Sequence, residues 1–423
     1  MAAWPIKRID ELCEITSSKR IFAADYVSEG VPFYRGREIT EKYKGNLDVS
    51  TELFITEQKF REIERKFGAP RQGDLLLTSV GTLGSVYVVK PGDRFYFKDG
   101  NLTWFRHFKG LDSQFLYYWI GSPQGKAELQ KCTIGSSQSA FTIVLLKSME
   151  IELPPLATQH RIASILSAYD ELIENSRRRI NILESMARAL YREWFVHFRF
   201  PGHESVPRVP SPLGGIPRGW EVRKLGDVAN TFRGRSYRSV DLADEGGLPF
   251  LNLKCLDRDG GFRRSGLKRY TGEFKDIHVA KKGDIVMAVT DMTQERRIVA
   301  RAALVPTLDH DFGVFSMDLV RIEAKLMFPQ EFLYAFLRYS SFADEVKQHA
   351  NGANVLHLSP DRITAFEFPS PPTDLMLTFA GFVGPIIEES DTLANRIDNL
   401  RCTRDLMLPR LLSGQIDVEA MPS

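Results

Sequence analysis

From Leu156 to Phe200 the chain runs for more than forty residues without Pro or Gly, between Pro154-Pro155 and Pro201-Gly202. A stretch of that length with no breaker reads as one long helix. Its apolar residues form two rows: Ile162, Tyr169, Leu183 and Leu190 in one, and Leu166, Ile173, Ile180, Ala187 and Trp194 in the other. These are the d and a positions of a heptad repeat, with Ser176 breaking the d row. Arg177-Arg178-Arg179 and Glu171, Glu174, Glu184 and Glu193 take the outside, so the helix is two-faced and needs a partner helix.

The partner is a second stretch from about Thr373 to Ser413. Moving each row by 217 positions gives Phe379, Ile386, Leu393, Leu400 and Met407, and Val383, Ser390, Ile397, Arg404 and Leu411, so the register survives the shift. Each helix follows a Pro-Pro pair, Pro154-Pro155 and Pro371-Pro372. The same spacing relates Gly30-Val31-Pro32-Phe33 to Gly247-Leu248-Pro249-Phe250, Phe115-Leu116-Tyr117 to Phe332-Leu333-Tyr334 and Gly135 to Gly352. Trp4 matches Trp220 at 216 and Gly73-Asp74 matches Gly283-Asp284 at 210, a difference of seven residues in loop length within otherwise matching halves. The chain is an internal duplication.

Each half reads as a mixed domain. In the first, strand-like runs at Asp74–Leu77 and Ser85–Val89 precede a helix-like Phe115–Ile120, and residues 220–370 repeat that order. Residues 201–219 hold five prolines and four glycines after Phe200, a linker in which neither a helix nor a central strand is expected. One helix leaves the first half and the other leaves the second, so a pair formed by them is antiparallel, and Gly414-Gln415-Ile416 is expected near Trp4. A nearly closed, pseudo-twofold object follows.

With 423 residues, 43% hydrophobic and 26% charged, the chain has the composition of a soluble globular protein. Cys13, Cys132, Cys255 and Cys402 have no CxxC spacing, which points to a reducing, cytoplasmic setting without disulfides or zinc. No apolar run approaches a membrane span, and Met1-Ala2-Ala3-Trp4 does not open a signal peptide. Phosphate-loop, GxGxxG, HExxH and GxSxG motifs are absent, as is an Asn/Asp-Pro-Pro-Tyr tetrad. Asp311 with Glu323-Ala324-Lys325 echoes a metal-dependent nuclease set, but reads as a strand end and turn. His349 and His357 read as surface or partly buried polar residues.

Net charge is only +2, so a surface for nucleic acid has to come from local clusters. Lys254 to Arg301 holds twelve Lys and Arg against seven Asp and Glu. Candidates there are Lys254, Arg263, Arg264, Arg296 and Arg297, preceded by Arg233, Arg235 and Arg238. In the first half the counterparts are Arg35, Arg37, Lys42 and Lys44. Guanidinium forks bind phosphate and match guanine bidentately. Two loop types add hydroxyls and amides: Thr78, Ser79 and Thr82 with Thr290, Thr293 and Gln294, and Ser136 and Gln138 with Asn354. Each of these residues would also serve in an ordinary solvated turn. Their repetition in both halves favours a binding role.

These features resemble the specificity subunit of type I restriction-modification systems. Leu153-Pro-Pro-Leu-Ala-Thr-Gln-His-Arg-Ile-Ala-Ser-Ile-Leu166 and Glu184-Ser-Met-Ala-Arg-Ala-Leu-Tyr-Arg-Glu-Trp-Phe-Val-His-Phe198 look like the two ends of the family's central helix. Arg404-Asp-Leu-Met-Leu-Pro-Arg-Leu-Leu-Ser-Gly-Gln-Ile-Asp417 looks like its distal one, and Gly219-Trp220-Glu-Val-Arg-Lys-Leu-Gly226 like the start of a target-recognition domain. The resemblance implies an α+β chain: two duplicated mixed α/β target-recognition domains, 1–152 and 220–370, a central helix at 153–200, a linker at 201–219, and a distal helix and tail at 371–423, with the helices in an antiparallel coiled coil. It also implies a non-catalytic DNA reader of a split target, bound to double-stranded DNA, two methyltransferase subunits and two motor-nuclease subunits. S-adenosylmethionine, ATP and magnesium would belong to those partners, with no cofactor in this chain. Ser370-Pro-Pro-Thr-Asp-Leu-Met376 departs from the first copy, which puts the equivalence of two methyltransferase docking sites in doubt. An autonomous nuclease or methyltransferase would need a motif that is absent. A coiled-coil scaffold with no DNA role would leave the basic, divergent loops unexplained.

Overall fold

The structure is a computed structural model that describes residues 4–46, 49–135 and 139–419. Two units are compact by themselves: Met1–Asn175 with Ile397–Ser423, and Ser176–Arg396. The central helix, Leu156–Tyr191, and the distal helix, Thr373–Leu412, each give one part to each unit.

Both helices carry the heptad rows expected of them. Ile162, Leu166, Ile173, Ser176, Ala187 and Trp194 are buried and the remaining row members half-buried, while Glu171, Arg178 and Arg179 are exposed. On the distal helix Phe379, Val383, Leu393, Ile397 and Leu411 are buried. Within the first unit Tyr169 Oη meets Met407 Sδ at 3.4 Å, Asp170 pairs with Arg404, and Thr158 donates to Glu419 at 3.1 Å. Within the second, Arg179 meets Glu389 at 2.6 Å and Tyr191 packs edge-on against Phe379. In both units rising numbers on one helix meet falling numbers on the other, so the pairing is antiparallel.

The duplication is visible strand by strand. In the first unit a four-stranded sheet is ordered Glu14–Thr16, Leu102–Arg106, Leu75–Thr78, Val86–Val88; in the second, Ala229–Arg233, Leu319–Ala324, Ile285–Ala288, Ala302–Leu304 stand in the same order. A second sheet repeats likewise, with Val279–Ala280 as an added edge strand in the second copy. The repeated glycine before Val/Leu-Pro-Phe has a steric cause. A Cβ on Gly30 would lie 2.5 Å from the Ile55 carbonyl oxygen, and one on Gly247 2.4 Å from that of Tyr270, both at positive φ.

The loop difference divides into two places. The helix Glu57–Phe67 of the first unit stands where the second has only a short turn, Asp276–His278. Conversely, Leu77 faces Val86 nine residues on, whereas Met287 faces Ala302 fifteen on, so that hairpin is six residues longer in the second unit.

Two details differ from the sequence expectation. The central helix does not run evenly to Pro201: at Arg192–Val196 it widens into a π turn, and Phe198 takes φ +60°. This added residue per turn lets Trp194 and Phe195 both enter the core, where Phe195, Phe198 and Phe200 surround Trp220. Residues 201–219 form an antiparallel hairpin, Arg208–Ser211 with Gly214–Pro217, because the prolines of a lone two-stranded ribbon can face away from the ladder. The distal helix spans the stretch expected of it, continuing through Pro385 and Pro409. The tail does return to Trp4, whose ring lies 3.2 Å from where a Gly414 Cβ would stand.

The start of the central helix explains why its motif is not repeated. Gln159 is fully buried; its amide donates to the carbonyls of Gly110 and Pro154, and its oxygen accepts from Asp112 N–H at 2.8 Å. The corresponding Met376 is buried in an apolar core and faces no such duty.

Ile173 is 4% exposed at an a position. Ile173→Asp removes about 1.5–3 kcal/mol of apolar burial and adds an unpaired carboxylate to a dry seam. A loss of about 3–5 kcal/mol in urea unfolding is expected; an unchanged midpoint would show that this row faces no partner.

Candidate nucleic-acid interface

In the first unit the candidate cations sit on the helix Gly36–Tyr43 that follows the strand Val31–Tyr34. Glu38 organises its start. Its carboxylate is fully buried, accepts Arg35 N–H at 2.8 Å, and pairs with Arg35 at 3.4 Å and Arg37 at 2.9 Å. The two guanidinium groups stay about a third and a half exposed, held in place from beneath. A Cβ on Gly36 would come within 4.0 Å of Thr78 and Val80, so this helix end overlies the neighbouring hairpin loop. There Gly81 and Gly84 take positive φ, and Thr82 between them is exposed. Lys44 is exposed and paired with Glu41 at 3.0 Å.

Three candidates of this unit do internal work instead. Lys42 is only 7% exposed, with its ammonium over the rings of Tyr34 and Tyr87 and 3.9 Å from Asp93, so it ties the helix to the sheet. Thr78 is buried and its hydroxyl accepts Ser85 N–H at 2.9 Å; Ser79 is buried 2.7 Å from the Thr103 hydroxyl. The reason is topological, since both close the hairpin rather than form its tip. Ser136 and Gln138 lie outside the described residues.

In the second unit Arg233, Arg235 and Arg238 leave the strand Ala229–Arg233 in succession. Gly234 between them passes so near strand Gly313–Phe315 that a Cβ would stand 2.0 Å from the Ser316 oxygen. Arg235 N–H donates to Phe315 O and Arg235 O accepts from Met317 N–H, each at 2.8 Å, which fixes the direction of the run. Arg233 is exposed, Arg235 half-buried, and the Arg238 side chain 82% exposed. Lys254 is exposed, and its carbonyl accepts from Arg263 Nε at 2.7 Å.

The long hairpin loop of this unit is gathered by Asp291. Its buried carboxylate accepts from Thr293 N–H and Thr293 Oγ1 at 2.9 Å, Ile298 N–H at 2.8 Å and Val299 N–H at 3.3 Å. Burial opposes its ionisation, but these donors prevail and hold the carboxyl below its ordinary value of 3.8. Beyond it, the Gln294 amide donates to the carbonyls of Gly352 and Ala353, and Arg296 to Gln348 and Ala350. The two loops named in the sequence are thus brought together, with Thr293, Arg297 and Asn354 exposed on them. In the first unit a bridge from Val80 to Ala140 joins the corresponding loops.

Corrections apply here as well. Thr290 is buried and donates to Asp318 at 3.0 Å, again at the base of a loop. Gln294 spends its amide on backbone carbonyls of the adjacent loop, and Arg296 its guanidinium on the Gln348 side-chain oxygen and the Ala350 carbonyl. Arg264 turns to the distal helix and meets Asp391 at 2.6 Å. Lys325 donates to Gly226 O rather than into an acidic pair. Sequence reasoning missed Glu38 and Asp291. A capping-box spacing, Glu38 three residues after Arg35, and an acid two residues before Thr293 were the available signals. Among the described residues, no three His, Cys, Asp or Glu side chains gather in a metal-binding group, and no helix is long and apolar enough to cross a membrane.

A family model for the type I restriction modification DNA specificity domain matches the chain twice, over residues 1–185 and 217–375, once for each repeated scaffold. The chain belongs to this family. A similar protein is the type I restriction enzyme MjaIX specificity subunit of Methanocaldococcus jannaschii, 25% identical over 438 residues that cover 99% of this chain and 94% of that one. A putative type I restriction enzyme specificity subunit of Haemophilus influenzae is 31% identical over 157 residues, 36% of this chain and 37% of its own. Among solved structures, the S subunit of a type I restriction-modification system from M. genitalium shares the fold at a TM-score of 0.60 and 17% identity, covering 96% of each chain.

Because Asp291 supports its loop as a carboxylate, that support is complete at neutral pH and is lost as pH falls through its lowered folded value. Asp291→Ala should strip several donors at once, lowering the stability of the loop by about 2–3 kcal/mol. Hydrogen exchange at Thr293–Val299 is the readout; unchanged protection would remove the carboxylate from its assigned role.

Proposed function

We propose that this chain is the DNA-reading subunit of a type I restriction-modification enzyme and that each unit reads one half of a split target. The observation that carries this reading is the pairing of identical strand order with unlike loops: the scaffold repeats, while the surfaces that would meet bases do not. The exposed arginines Arg35, Arg37, Arg233, Arg238 and Arg297 suit phosphate contact and bidentate contact with guanine. Thr82, Thr293 and Asn354 offer hydroxyl and amide groups at loop tips. The buried carboxylates Glu38 and Asp291 hold those loops in one shape before DNA arrives, which lowers the ordering cost of binding.

In this reading the chain is not the catalyst and works in the cytoplasm. Two methyltransferase subunits, using S-adenosylmethionine, and two motor-nuclease subunits, using ATP and magnesium, act on the double-stranded DNA that it selects. Gln159 braces the start of one long helix and Met376 the start of the other, so the two methyltransferase sites would differ in detail.

Exchange of residues 4–150 for those of a relative should change one half of the methylated target and leave the other intact, as read by methylome sequencing of a host carrying the assembled enzyme. Changes in both halves would sink the division of labour. For phosphate-contacting residues such as Arg238, substitution by Ala should weaken binding and reduce the slope of log K against log salt by about 0.9.

A further inference from the structure

In the second unit the five-stranded sheet that includes Leu248–Leu251, Lys268–Tyr270 and Gly313–Phe315 has a small apolar core around Phe250 and Tyr270, and shares another, around Leu251 and Phe315, with Val286, Ala288 and Leu319 of the four-stranded sheet. These are separate from the large aromatic cluster that receives the long helices. A polar attachment ties this part to the distal helix. Asp391, with its side chain 12% exposed, meets Arg264 at 2.6 Å, Lys282 at 3.5 Å, Thr307 Oγ1 at 2.6 Å and Thr307 N–H at 3.3 Å. Arg264 also donates to Thr307 O at 3.0 Å, and Lys282 reaches Glu388, one helical turn earlier, at 2.9 Å. One carboxylate therefore gathers three segments that come from different turns of the reading domain.

The central helix supplies another attachment. Glu184 holds the Arg338 guanidinium through two bonds of 3.0 and 3.1 Å, and Arg338 also reaches Gly260 O. The apolar cluster that joins Ile285, Met287, Val320 and Ile322 to the two helices seats the domain, and these two polar attachments, one on each helix, add directional contacts that fix its angle. The first unit is built otherwise. The strand equivalences place Pro91 at the position of Thr307 and Gln72 at that of Lys282. Proline has neither an N–H nor a hydroxyl to donate, and Gln72 carries no charge, so this clamp belongs to the second reading domain.

We infer that Asp391 is a positioning residue that sets the angle of the second reading domain on the distal helix, and that the enzyme's selectivity for the length of the gap between half-sites depends on it. The inference rests on the DNA-reading role proposed above. Asp391 touches no base in this assignment: its loss changes where the second half-site is read, and not which bases are read. Arg264 serves the clamp, in place of the DNA contact expected from its position in a basic cluster.

The test uses the assembled enzyme and duplexes that carry its own two half-sites, with the gap native, one base pair shorter or one longer. Asp391→Ala should methylate the same half-sites, while its preference for the native gap over the altered gaps falls by about tenfold, equivalent to ~1.4 kcal/mol. Thr307→Val, which deletes one hydroxyl and leaves both ion pairs, should fall in the same direction by less, and it stands in if Asp391→Ala does not fold. Gap preference unchanged in a folded variant overturns the inference. So does a changed base preference within the second half-site, which would make the clamp mere support for the reading loops. A wild-type complex that methylates no split site would instead overturn the DNA-reading role itself.

Discussion

The fold depends first on two long helices whose buried rows meet with the helices running in opposite directions. Each fully buried Ile or Leu in those rows contributes about 1.5–3 kcal/mol relative to exposure. Short pieces of either helix would be marginal alone, because helix nucleation is costly and most helical stability in proteins comes from tertiary packing. The rows are not uniform. Ser176 is buried where the apolar row breaks, and Arg404 takes an a position only by meeting Asp170. Such polar interruptions favour one register over its heptad-shifted alternatives, at some expense in stability.

A related economy governs the candidate interface. Buried acids hold the exposed bases in place: Glu38 lies beneath Arg35 and Arg37, and Asp291 gathers the loop that bears Thr293 and Arg297. A surface made only of arginines would repel itself and lose side-chain entropy on binding. With carboxylates beneath, the guanidinium groups keep a direction while their outer edges remain wet. The pairs also mute the net charge of the surface, so attraction to DNA is local in range and strongly dependent on salt.

The helices, their register, the duplication and the return of the tail to Trp4 were legible in the sequence because each depends on periodicity or on spacing, which a one-dimensional string preserves. The candidate site was legible only as a neighbourhood. Thr78, Ser79 and Thr290 have the right chemistry but lie at loop bases, and whether a hydroxyl closes a hairpin or crowns it depends on a strand end known only to within a residue or two; Lys42 instead lies on the helix Gly36–Tyr43 and turns inward onto Tyr34 and Tyr87. Arg264 sits among basic residues in sequence, yet its partner Asp391 is 127 positions away. No local pattern could announce that pair. The π turn was equally silent, since its cause is the aromatic pocket around Trp220 rather than any breaker in Arg192–Val196.

The first unit is assembled from the two ends of the chain. Ile162 and Leu166 share a core with Leu411, Leu412 and Val418, and Trp4 leans on Gly414. On the ribosome, at about 5–20 residues per second, roughly 10 to 40 seconds separate the emergence of Asn175 from that of Ile397. During that interval an apolar stripe of the nascent first domain has no covering helix. The second unit, continuous from Ser176 to Arg396, can close first, although its synthesis begins later. Premature termination even a few tens of residues before the end would therefore damage the oldest part of the molecule, and cellular quality control could sense a defect at the C-terminus through the exposed surface of the N-terminal domain.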